Sequence, residues 1–447
     1  MSCTRVLRRI AWTLLGTTLS CASFAGIAFA GVDATMSDSF APAPAQVERP
    51  PRPFPEDRIN VAVAVSNEGS VATDVLAPYQ VFAESEKFFV YTIAAEREVS
   101  PLSGGAHLLP DRTLTEPLPE PDVVVVPAVT DPAGAKEAEL RRWIVERHRK
   151  GARILGVCAG SELLAASGLL DGLDATSFWS NIGSLQKSYP DVHWKRGVRY
   201  VEDGRVTTTA GITSGTVGSL RLVGELAGEA EAERIGKDLS YPGWTPDGPA
   251  SIPANHLAAT DLPYALNAAF PWLRPTVGIG LTDGIDEIDA AAAFEAYGGV
   301  SFAARPVVLG AGDTVVTRHG LTLVTRPVSG GAPGVDRLVI PGTTGDARLR
   351  SWASRNGVPV DRPARRPGEF GFDPVLRDLA AHADRRTALV TAKFSEYPSA
   401  HLDLTGPAWP WRSTSLALAA LTASVAAGFV PLLVRRLVRR WVTRAPR

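Results

Sequence analysis

The stretch Gly151–Gly172, GARILGVCAGSELLAASGLLDG, decides the fold that we predict for this chain. Arg153 to Val157 predicts a short buried strand, and Ser161 to Leu170 predicts a helix with apolar residues at helical spacing. Cys158 lies between them in a Gly-x-Cys-x-Gly pattern, and a sharp strand-to-helix turn needs such small neighbours. The spacing therefore predicts a nucleophile elbow that carries a thiol. The alternative is a small cysteine that fills space under a sheet.

The predicted turn also bears on the chemistry of the thiol. Cys158 is expected near the first free N–H groups of the following helix. Their partial positive charge favours a thiolate over a thiol.

Length and charge limit the function classes. The chain has 447 residues, enough for two ordinary domains with connecting segments. Its formal net charge is -1 and acidic and basic residues are evenly mixed, so the composition does not call for a nucleic-acid partner.

Both ends of the chain predict membrane targeting. Residues 1–31 combine early arginines with a long uncharged run that ends in Ala28-Phe29-Ala30, which is typical of a signal peptide or an uncleaved anchor. Residues 414–434 are uncharged and precede an arginine-rich tail at 435–447. This pattern predicts a transmembrane helix with a cytoplasmic C-terminus, and a buried core helix is the alternative. We therefore expect a cell-membrane protein whose body is extracytoplasmic.

Cys158 is the only cysteine in the predicted exported body, because Cys3 and Cys21 fall in the targeting segment. No intramolecular disulfide is therefore expected there. The sequence shows no clustered metal-ligand set and no phosphate-binding glycine loop, so we expect neither a metal nor a cofactor.

The body predicts an α/β protein in two parts. After a proline-rich linker at 32–57, which is expected to be a stiff tether, residues 58–243 alternate strands with helices. The uninterrupted run Val123 to Val126 is typical of a strand that is covered on both faces. We predict a doubly wound, flavodoxin-like parallel sheet, in which ligands bind at the carboxyl ends of the strands. Residues 244–272 are expected to be a second linker.

Residues 273–405 repeat the pattern in a degenerate form. Asp289 stands where the first part has Asp74, and Glu396-Tyr-Pro follows a helix where the first part has Ser240-Tyr-Pro. The second part lacks the elbow, so we predict a non-catalytic copy that arose by duplication. A merely generic α/β pattern is the alternative.

The first part resembles the ThiJ/PfpI family, a branch of the class I amidotransferase-like proteins. Within this family, its sequence motifs most resemble those of isonitrile hydratase and of the ligand-sensing domain of AraC-type regulators. The motifs that carry the resemblance are Thr73-Asp-Val-Leu-Ala-Pro-Tyr-Gln-Val-Phe82, Ser103-Gly-Gly-Ala-His-Leu-Leu-Pro-Asp-Arg112, Gly156-Val-Cys-Ala-Gly-Ser161, Leu169-Leu-Asp-Gly172 with Ala175-Thr176, and Thr209-Ala-Gly-Ile-Thr-Ser-Gly215.

The resemblance implies that Cys158 and Asp74 form a catalytic pair, in which a carboxyl close to the thiol shares a proton with it. A helix N-cap is the structural alternative for Asp74. The backbone N–H groups of Ala128 or Val129 and of Ala159 are expected to form an oxyanion hole.

The same resemblance assigns three glycines, Gly105, Gly160 and Gly211, to the pocket around the thiol.

The chain also departs from the family pattern. Ala159 stands where relatives carry Thr or His, and Phe178 stands where they often carry His before a Trp, so no histidine is offered as the base for the sulfur. The remaining histidines, His107, His148 and His193, are expected to be surface or structural residues. No helix-turn-helix follows the first domain, so we expect no DNA partner.

Two function classes remain open. The first is a cysteine-dependent hydratase or hydrolase that acts on a small molecule through the Asp74 and Cys158 pair. The second is a non-catalytic sensor or scaffold that binds a small molecule, or registers oxidation, at the membrane. A structural envelope protein with a relic elbow is a third reading. In each case we expect a homodimer or an intrachain pseudo-dimer.

Overall fold

The computed structural model describes residues 3–330, 334–343 and 345–442, which divide into two compact units. The first unit comprises the N-terminal helix as far as Ser37, the segment Ala265–Arg274, and the C-terminal helix from Pro410 onward. The second unit comprises Asp38–Tyr264 and Pro275–Trp409 and includes Cys158. Arg444 and Arg447 of the predicted basic tail lie outside the described residues.

The first unit is built from two long helices, Cys3–Ser39 and Trp411–Val442. Trp12–Ser39 and Trp411–Pro431 are long and apolar enough to cross a membrane, with mean hydropathies of 1.5 and 1.6. The two helices approach closely, because a side chain at Gly16 would come within 2.8 Å of the carbonyl oxygen of Gly428. The first helix continues through the predicted cleavage site at Ala30.

A seven-stranded sheet forms the centre of the first lobe, residues 58–243, and confirms the predicted doubly wound architecture. Its strands lie in the order Tyr200–Asp203, Val206–Thr209, Arg153–Gly156, Val123–Val126, Ile59–Ala64, Phe88–Ala94 and Arg112–Thr113. All neighbours are parallel except the first pair. Val123 and Val125 pack on one face of the sheet, and Val124 and Val126 pack on the other, because side chains alternate along a strand.

The helices of the first lobe cover both faces of this sheet. They are Ala72–Ala83, Ala138–Arg149, Gly160–Ala166, Ile182–Ser188, Ser214–Ala227 and Glu229–Leu239. The remaining strands are Ser100–Leu102, Ala106–Leu109, Asp174–Ala175 and His193–Trp194. The Ala72–Ala83 helix begins two residues before Asp74, and Pro78 lies inside it.

The second lobe, residues 275–409, contains a five-stranded parallel sheet. Its strands lie in the order Arg326–Pro327, Arg305–Gly310, Thr276–Gly280, Arg337–Val339 and Val360–Asp361. This order matches the last five strands of the first sheet read from its opposite end. Its helices are Glu287–Phe294, Ala347–Arg355, Phe372–His382 and Arg385–Phe394. The second α/β copy is therefore present and has two fewer strands in its central sheet.

The two lobes contact each other through equivalent elements. A hairpin from each lobe enters a shared four-stranded sheet, in which Leu108 pairs with Leu323 in antiparallel register. The Ala72–Ala83 helix packs against Glu287–Phe294. A side chain at Gly104 would lie 2.3 Å from the carbonyl oxygen of Phe294, so the contact requires glycine there. This reciprocal arrangement is that of an isologous dimer interface within one chain.

The proline-rich segment, which we expected to be a stiff tether, packs against the rest of the protein. The Arg52 guanidinium donates hydrogen bonds to the hydroxyl of Tyr79 at 2.6 Å and to the carbonyl of His319 at 3.0 Å. Further along, the carbonyl of Ala41 contacts Nε2 of His107 at 2.7 Å. Charged and apolar side chains between the prolines thus bind residues 41–54 to both lobes.

The second predicted linker is also partly packed. The N–H of Ile252 donates to the carbonyl of Gly197 at 2.9 Å, and the ring of Trp244 covers Gly236. Residues of this segment and of the first lobe enclose a cavity of about 310 Å³. The segment ends in a helix at Leu262–Ala269, which the glycine- and proline-rich composition did not predict.

Candidate functional site

Cys158 lies in a strained turn between the Arg153–Gly156 strand and the Gly160–Ala166 helix. Its backbone φ is 54°, in the left-handed region that residues with a Cβ seldom adopt. A side chain at Gly160 would lie 2.1 Å from the carbonyl oxygen of Val126, so the turn has room only for glycine. Strain of this kind persists where surrounding structure enforces it, and it is concentrated at functional sites.

The turn is held by hydrogen bonds around the thiol. The hydroxyls of Ser161 and Ser177 both donate to the carbonyl oxygen of Cys158, at 3.0 and 3.3 Å. The backbone N–H of Ala159 is directed at the sulfur and favours its ionised form. The side chain of Cys158 is only 5% exposed.

Asp74 is fully buried close to Cys158. Its Oδ2 accepts a hydrogen bond from the N–H of Ala128 at 3.0 Å. Its Oδ1 is buried and has no hydrogen-bond partner among the described residues. Asp74 does not cap its helix, since Val71 holds the N-cap position and the hydroxyl of Ser103 accepts from the N–H of Ala72. The carboxyl is thus free on one side.

This contact changes the role expected for Ala128. Its N–H holds the carboxyl of Asp74 and so is engaged by a protein group instead of being open to a substrate oxygen. Val129 lies in an isolated bridge with Ser70. Of the three predicted oxyanion donors, the N–H of Ala159 is the one that the structure directs at the sulfur.

Two buried carboxyl groups that we did not predict come from the second lobe. Oε1 of Glu295 accepts a hydrogen bond from the hydroxyl of Ser103 at 2.6 Å, and Oε2 of Glu396 accepts one from the N–H of Gly211 at 2.6 Å. Burial raises the pKa of each to about 7. The only sequence signal was the repeat itself, in which Glu396 replaces Ser240.

These surroundings reverse the expected direction of the Cys158 pKa. Burial raises the pKa of the thiol, and the carboxyl of Asp74 raises it further, with smaller contributions from Glu396 and Glu295. The Ala159 N–H opposes this rise but does not outweigh it. Burial also raises the pKa of Asp74 itself. Burial therefore favours the protonated forms of both Cys158 and Asp74.

An aromatic wall lies next to the turn. The ring of Phe394 stacks on Tyr264 at 4.2 Å and meets the edges of Trp179 and Phe178 at 5.2 and 6.1 Å between centroids. Phe178 is thus part of an apolar surface. Such a wall favours neutral, apolar groups over charged ones.

The histidines contact other parts of the fold. His107 binds the carbonyl of Ala41, and burial lowers its pKa. His148 ends the Ala138–Arg149 helix, and burial lowers its pKa too. His193 is exposed and lies 3.4 Å from Asp174.

The three predicted pocket glycines have different positions. Gly160 lies in the turn, and Gly211 binds Glu396 beside the site. Gly105 lies against Pro306 of the second lobe, where a side chain would come within 3.2 Å of the ring, so its role is in packing the lobes.

One group of potential metal ligands lies in the second lobe: Asp361, Asp378 and His382. The guanidinium of Arg337 lies 2.8 Å from both of these carboxylates. Arg337 pairs with both carboxylates, so this group has the character of an ion-pair network.

Comparison with known proteins covers the first lobe. The sequence profile of the DJ-1/PfpI family matches residues 59–223. The chain is 31% identical over 174 residues to isonitrile hydratase of Pseudomonas putida, covering 38% of this chain and 72% of that protein. It is 30% identical over 125 residues to the HTH-type transcriptional regulator CdhR of Pseudomonas aeruginosa, covering 28% of this chain. The chain spans 36% of that regulator.

One solved structure is similar to part of the chain. The crystal structure of a ThiJ/PfpI family protein from Pseudomonas syringae matches with 27% identity and a TM-score of 0.38, over 43% of this chain and 81% of that one. Since the chain covers most of a hydratase that is 31% identical to it, and places Cys158 and Asp74 together, this protein belongs to the DJ-1/PfpI family.

Proposed function

We propose that this protein is a cysteine-dependent hydratase or hydrolase that acts on a small, neutral molecule. The observation that carries the proposal is the strained Cys158 turn beside Asp74, whose buried Oδ1 is free to exchange a proton. Strain and an unpartnered buried polar atom both reduce stability, and functional sites are where such features are retained.

The chemistry follows from these two side chains. Sγ of Cys158 forms a bond to an unsaturated or carbonyl carbon as the thiol proton passes to Asp74. Asp74 gives its own proton to the substrate atom that gains the electron pair. In an ester or amide, the alcohol or amine that Asp74 has protonated then leaves. Water attacks the same carbon and passes a proton to Asp74, the S–C bond breaks, and Asp74 returns that proton to the sulfur. When the substrate is an isonitrile, the second proton of the water goes to the substrate nitrogen. The reaction begins from a neutral thiol, which suits the raised pKa values of both groups.

The aromatic wall supports a neutral substrate. Tyr264, Phe394, Trp179 and Phe178 offer apolar ring surface and no counter-ion for an anion at the thiol. The sequence similarity to isonitrile hydratase makes small isonitriles the first class to test, followed by small esters and amides.

The test uses the full-length protein in detergent. We expect turnover of at least one of these classes, with a loss of about 1,000-fold in Cys158→Ser and about 100-fold in Asp74→Asn, since proton transfer contributes 10²–10⁴-fold. Cys21→Ser is the matched control and should retain full activity. Equal turnover by Cys158→Ser and the unaltered protein would exclude Cys158 as the nucleophile.

A second candidate is a small-molecule sensor. It is supported by the buried, proton-retaining thiol and by the similarity to transcriptional regulators. A sensor predicts that Cys158→Ala still binds the ligand with unchanged affinity and that no substrate class is turned over. The expectation that the protein has no nucleic-acid partner stays a prediction, and an electrophoretic shift assay with the detergent-solubilised protein tests it.

We also propose a location. The two long apolar helices support anchoring in the cell membrane with the lobes extracytoplasmic. In intact spheroplasts, externally added protease should degrade residues 38–409. Protection of the lobes until the membrane is lysed would contradict this orientation.

A further inference from the structure

Two carboxyl groups of the second lobe are held by hydrogen-bond donors of the first lobe. Oε2 of Glu396 accepts from the N–H of Gly211 at 2.6 Å and from the hydroxyl of Ser214 at 3.2 Å. Oε1 of Glu295 accepts from the hydroxyl of Ser103 at 2.6 Å and from the N–H of Thr73 at 3.4 Å. Thr73 is the residue before Asp74. The lobe that lacks the cysteine therefore contacts the residue next to Asp74 and the Gly211 loop of the first lobe.

The pseudo-twofold relation of the lobes identifies the counterpart of Glu295. The N–H of Thr73 donates to Oε1 of Glu295, and the N–H of Ile288 donates to Oε1 of Gln80 at 2.8 Å. These two hydrogen bonds are equivalent, since each joins the first turn of one helix to a side chain of the other. The acceptor that the first lobe supplies is thus the neutral amide of Gln80, whereas the acceptor that the second lobe supplies is the carboxyl group of Glu295.

The counterpart of Glu396 is Ser240. Both residues have a left-handed backbone, with φ of 51° and 58°, and both precede Tyr-Pro. Their N–H groups bind the equivalent carbonyls of Lys393 and Lys237. The hydroxyl of Ser240 turns back to its own helix, whereas the side chain of Glu396 crosses to the first lobe.

The charge is therefore distributed unequally between equivalent positions. Carboxyl groups occupy the two positions of the second lobe that bind donors of the first lobe, at Thr73 next to Asp74 and at Gly211, and the two counterparts are neutral. In the second lobe Arg365 follows the strand that corresponds to the elbow strand and lies 4.0 Å from Asp289, the equivalent of Asp74. Packing alone would accept glutamine or serine at both positions, as the counterparts demonstrate.

We propose that the second lobe supplies two working carboxyl groups, Glu295 and Glu396, that control the ionisation of Cys158. The inference rests on the proposed role of Cys158 as the reactive thiol. It gives the degenerate second lobe a function, since its two acids complete a site of one thiol and three carboxyl groups. Glu295 and Glu396 act here as positioning residues that regulate the proton on the sulfur.

The direction of the effect follows from the charges around the site. Asp74, Glu295 and Glu396 all act on Cys158, and Arg199 is the cation that acts on Glu396. The hydroxyls of Tyr241 and Tyr264 stay neutral, because burial raises their pKa values. Above neutral pH the two glutamates ionise, and their negative charge disfavours the thiolate. Removing either charge should make Cys158 easier to ionise.

The test is the pH dependence of iodoacetamide labelling in the full-length, detergent-solubilised protein, measured on the Cys158 peptide by mass spectrometry. We expect Glu396→Gln and Glu295→Gln each to lower the labelling midpoint by about one pH unit, which is a tenfold gain in thiolate below the midpoint. Glu396→Asp keeps the charge and should label as the unaltered protein does. Asp403→Asn, which removes an exposed charge of the same lobe, is the matched control.

The outcomes separate the two proposals. Unchanged midpoints in both glutamine variants, with normal labelling of the unaltered protein, would refute the role of the second lobe and leave the proposed nucleophile standing. If Cys158 of the folded protein resists labelling at every pH, the proposed catalytic function itself fails. Thermal melting of each variant shows that it has folded.

Discussion

At the residue scale, two glycines shape the site because they carry no side chain. Gly160 allows the helix after Cys158 to begin directly against the Val126 strand, and Gly211 allows Glu396 to approach the backbone. The Gly-x-Cys-x-Gly spacing predicted the first of these contacts. The second depends on a side chain more than a hundred residues away in the chain, so no local pattern indicates it.

Gly160→Ala should damage the turn. The new Cβ would lie 2.1 Å from the Val126 oxygen and 2.9 Å from the Pro127 oxygen, and backbone atoms in a central strand have little freedom to move. We expect a loss of about 1–3 kcal/mol in stability and altered Cys158 labelling. Gly312→Ala, which meets open space, is the control for thermal melting. A melting temperature equal to that of the control would contradict the close contact.

Glu295 should make stability depend on pH. Its pKa is 4.5 in an exposed chain and about 7 in the fold, so between these values only the unfolded state has lost the proton. Stability therefore falls as pH rises through this window.

Glu295→Gln removes this dependence. The free energy of unfolding of the variant, compared with that of the unaltered protein, should be larger at pH 8 than at pH 4 by on the order of 3 kcal/mol. The reason is that each pKa unit corresponds to about 1.4 kcal/mol. Melting temperatures of both proteins at the two pH values test this. A constant difference between them would show that Glu295 ionises normally in the fold.

At the scale of elements, local composition did not predict the packing of the proline-rich segment, because the residues that bind it are distant in the chain. The proline-rich segment has no periodicity, yet Arg52 joins it to both lobes, and its guanidinium also lies 5.2 Å from the ring centroid of Phe89. A segment that offers no internal hydrogen bonds can still be ordered by partners on a preformed surface.

Arg52→Ala should release this segment. The variant loses hydrogen bonds to Tyr79, Val90 and His319, so residues 41–55 should exchange their amide hydrogens faster. Hydrogen-exchange mass spectrometry measures the change, and Arg58→Ala, at an exposed arginine, is the control. Equal exchange in both variants would mean that other contacts hold the segment.

At the scale of the whole molecule, the second lobe covers a surface that the first lobe needs. Residues 72–82 are buried throughout, although only one face of their helix can pack on the sheet of the first lobe. The Glu287–Phe294 helix covers the other face with a run of alanines, Ala290 to Ala293, all fully buried. Small side chains allow the two helices to approach closely.

Residues 58–243 produced alone should therefore not behave as a monomer. Without the second lobe the apolar face of the Ala72–Ala83 helix is open to water, and exposed patches of this kind drive association. Light scattering after gel filtration should show a homodimer or larger species. A stable monomer would show that the first lobe does not depend on the second.

Local spacing was enough to predict the doubly wound first lobe and the thiol at its elbow, because both depend on residues that are close together in the chain. The pairing of Asp74 with Cys158 came from the family resemblance, since the two residues are distant in the sequence. The repeat predicted a second α/β part, and the structure gave its strand order. The folded structure was needed to show that Glu295 and Glu396 bind Ser103 and Gly211 of the first lobe. It also showed that Asp74 accepts from the Ala128 N–H and that burial raises the pKa of the thiol. These depend on burial and on contacts between distant segments, since the same side chain in water would keep its ordinary pKa.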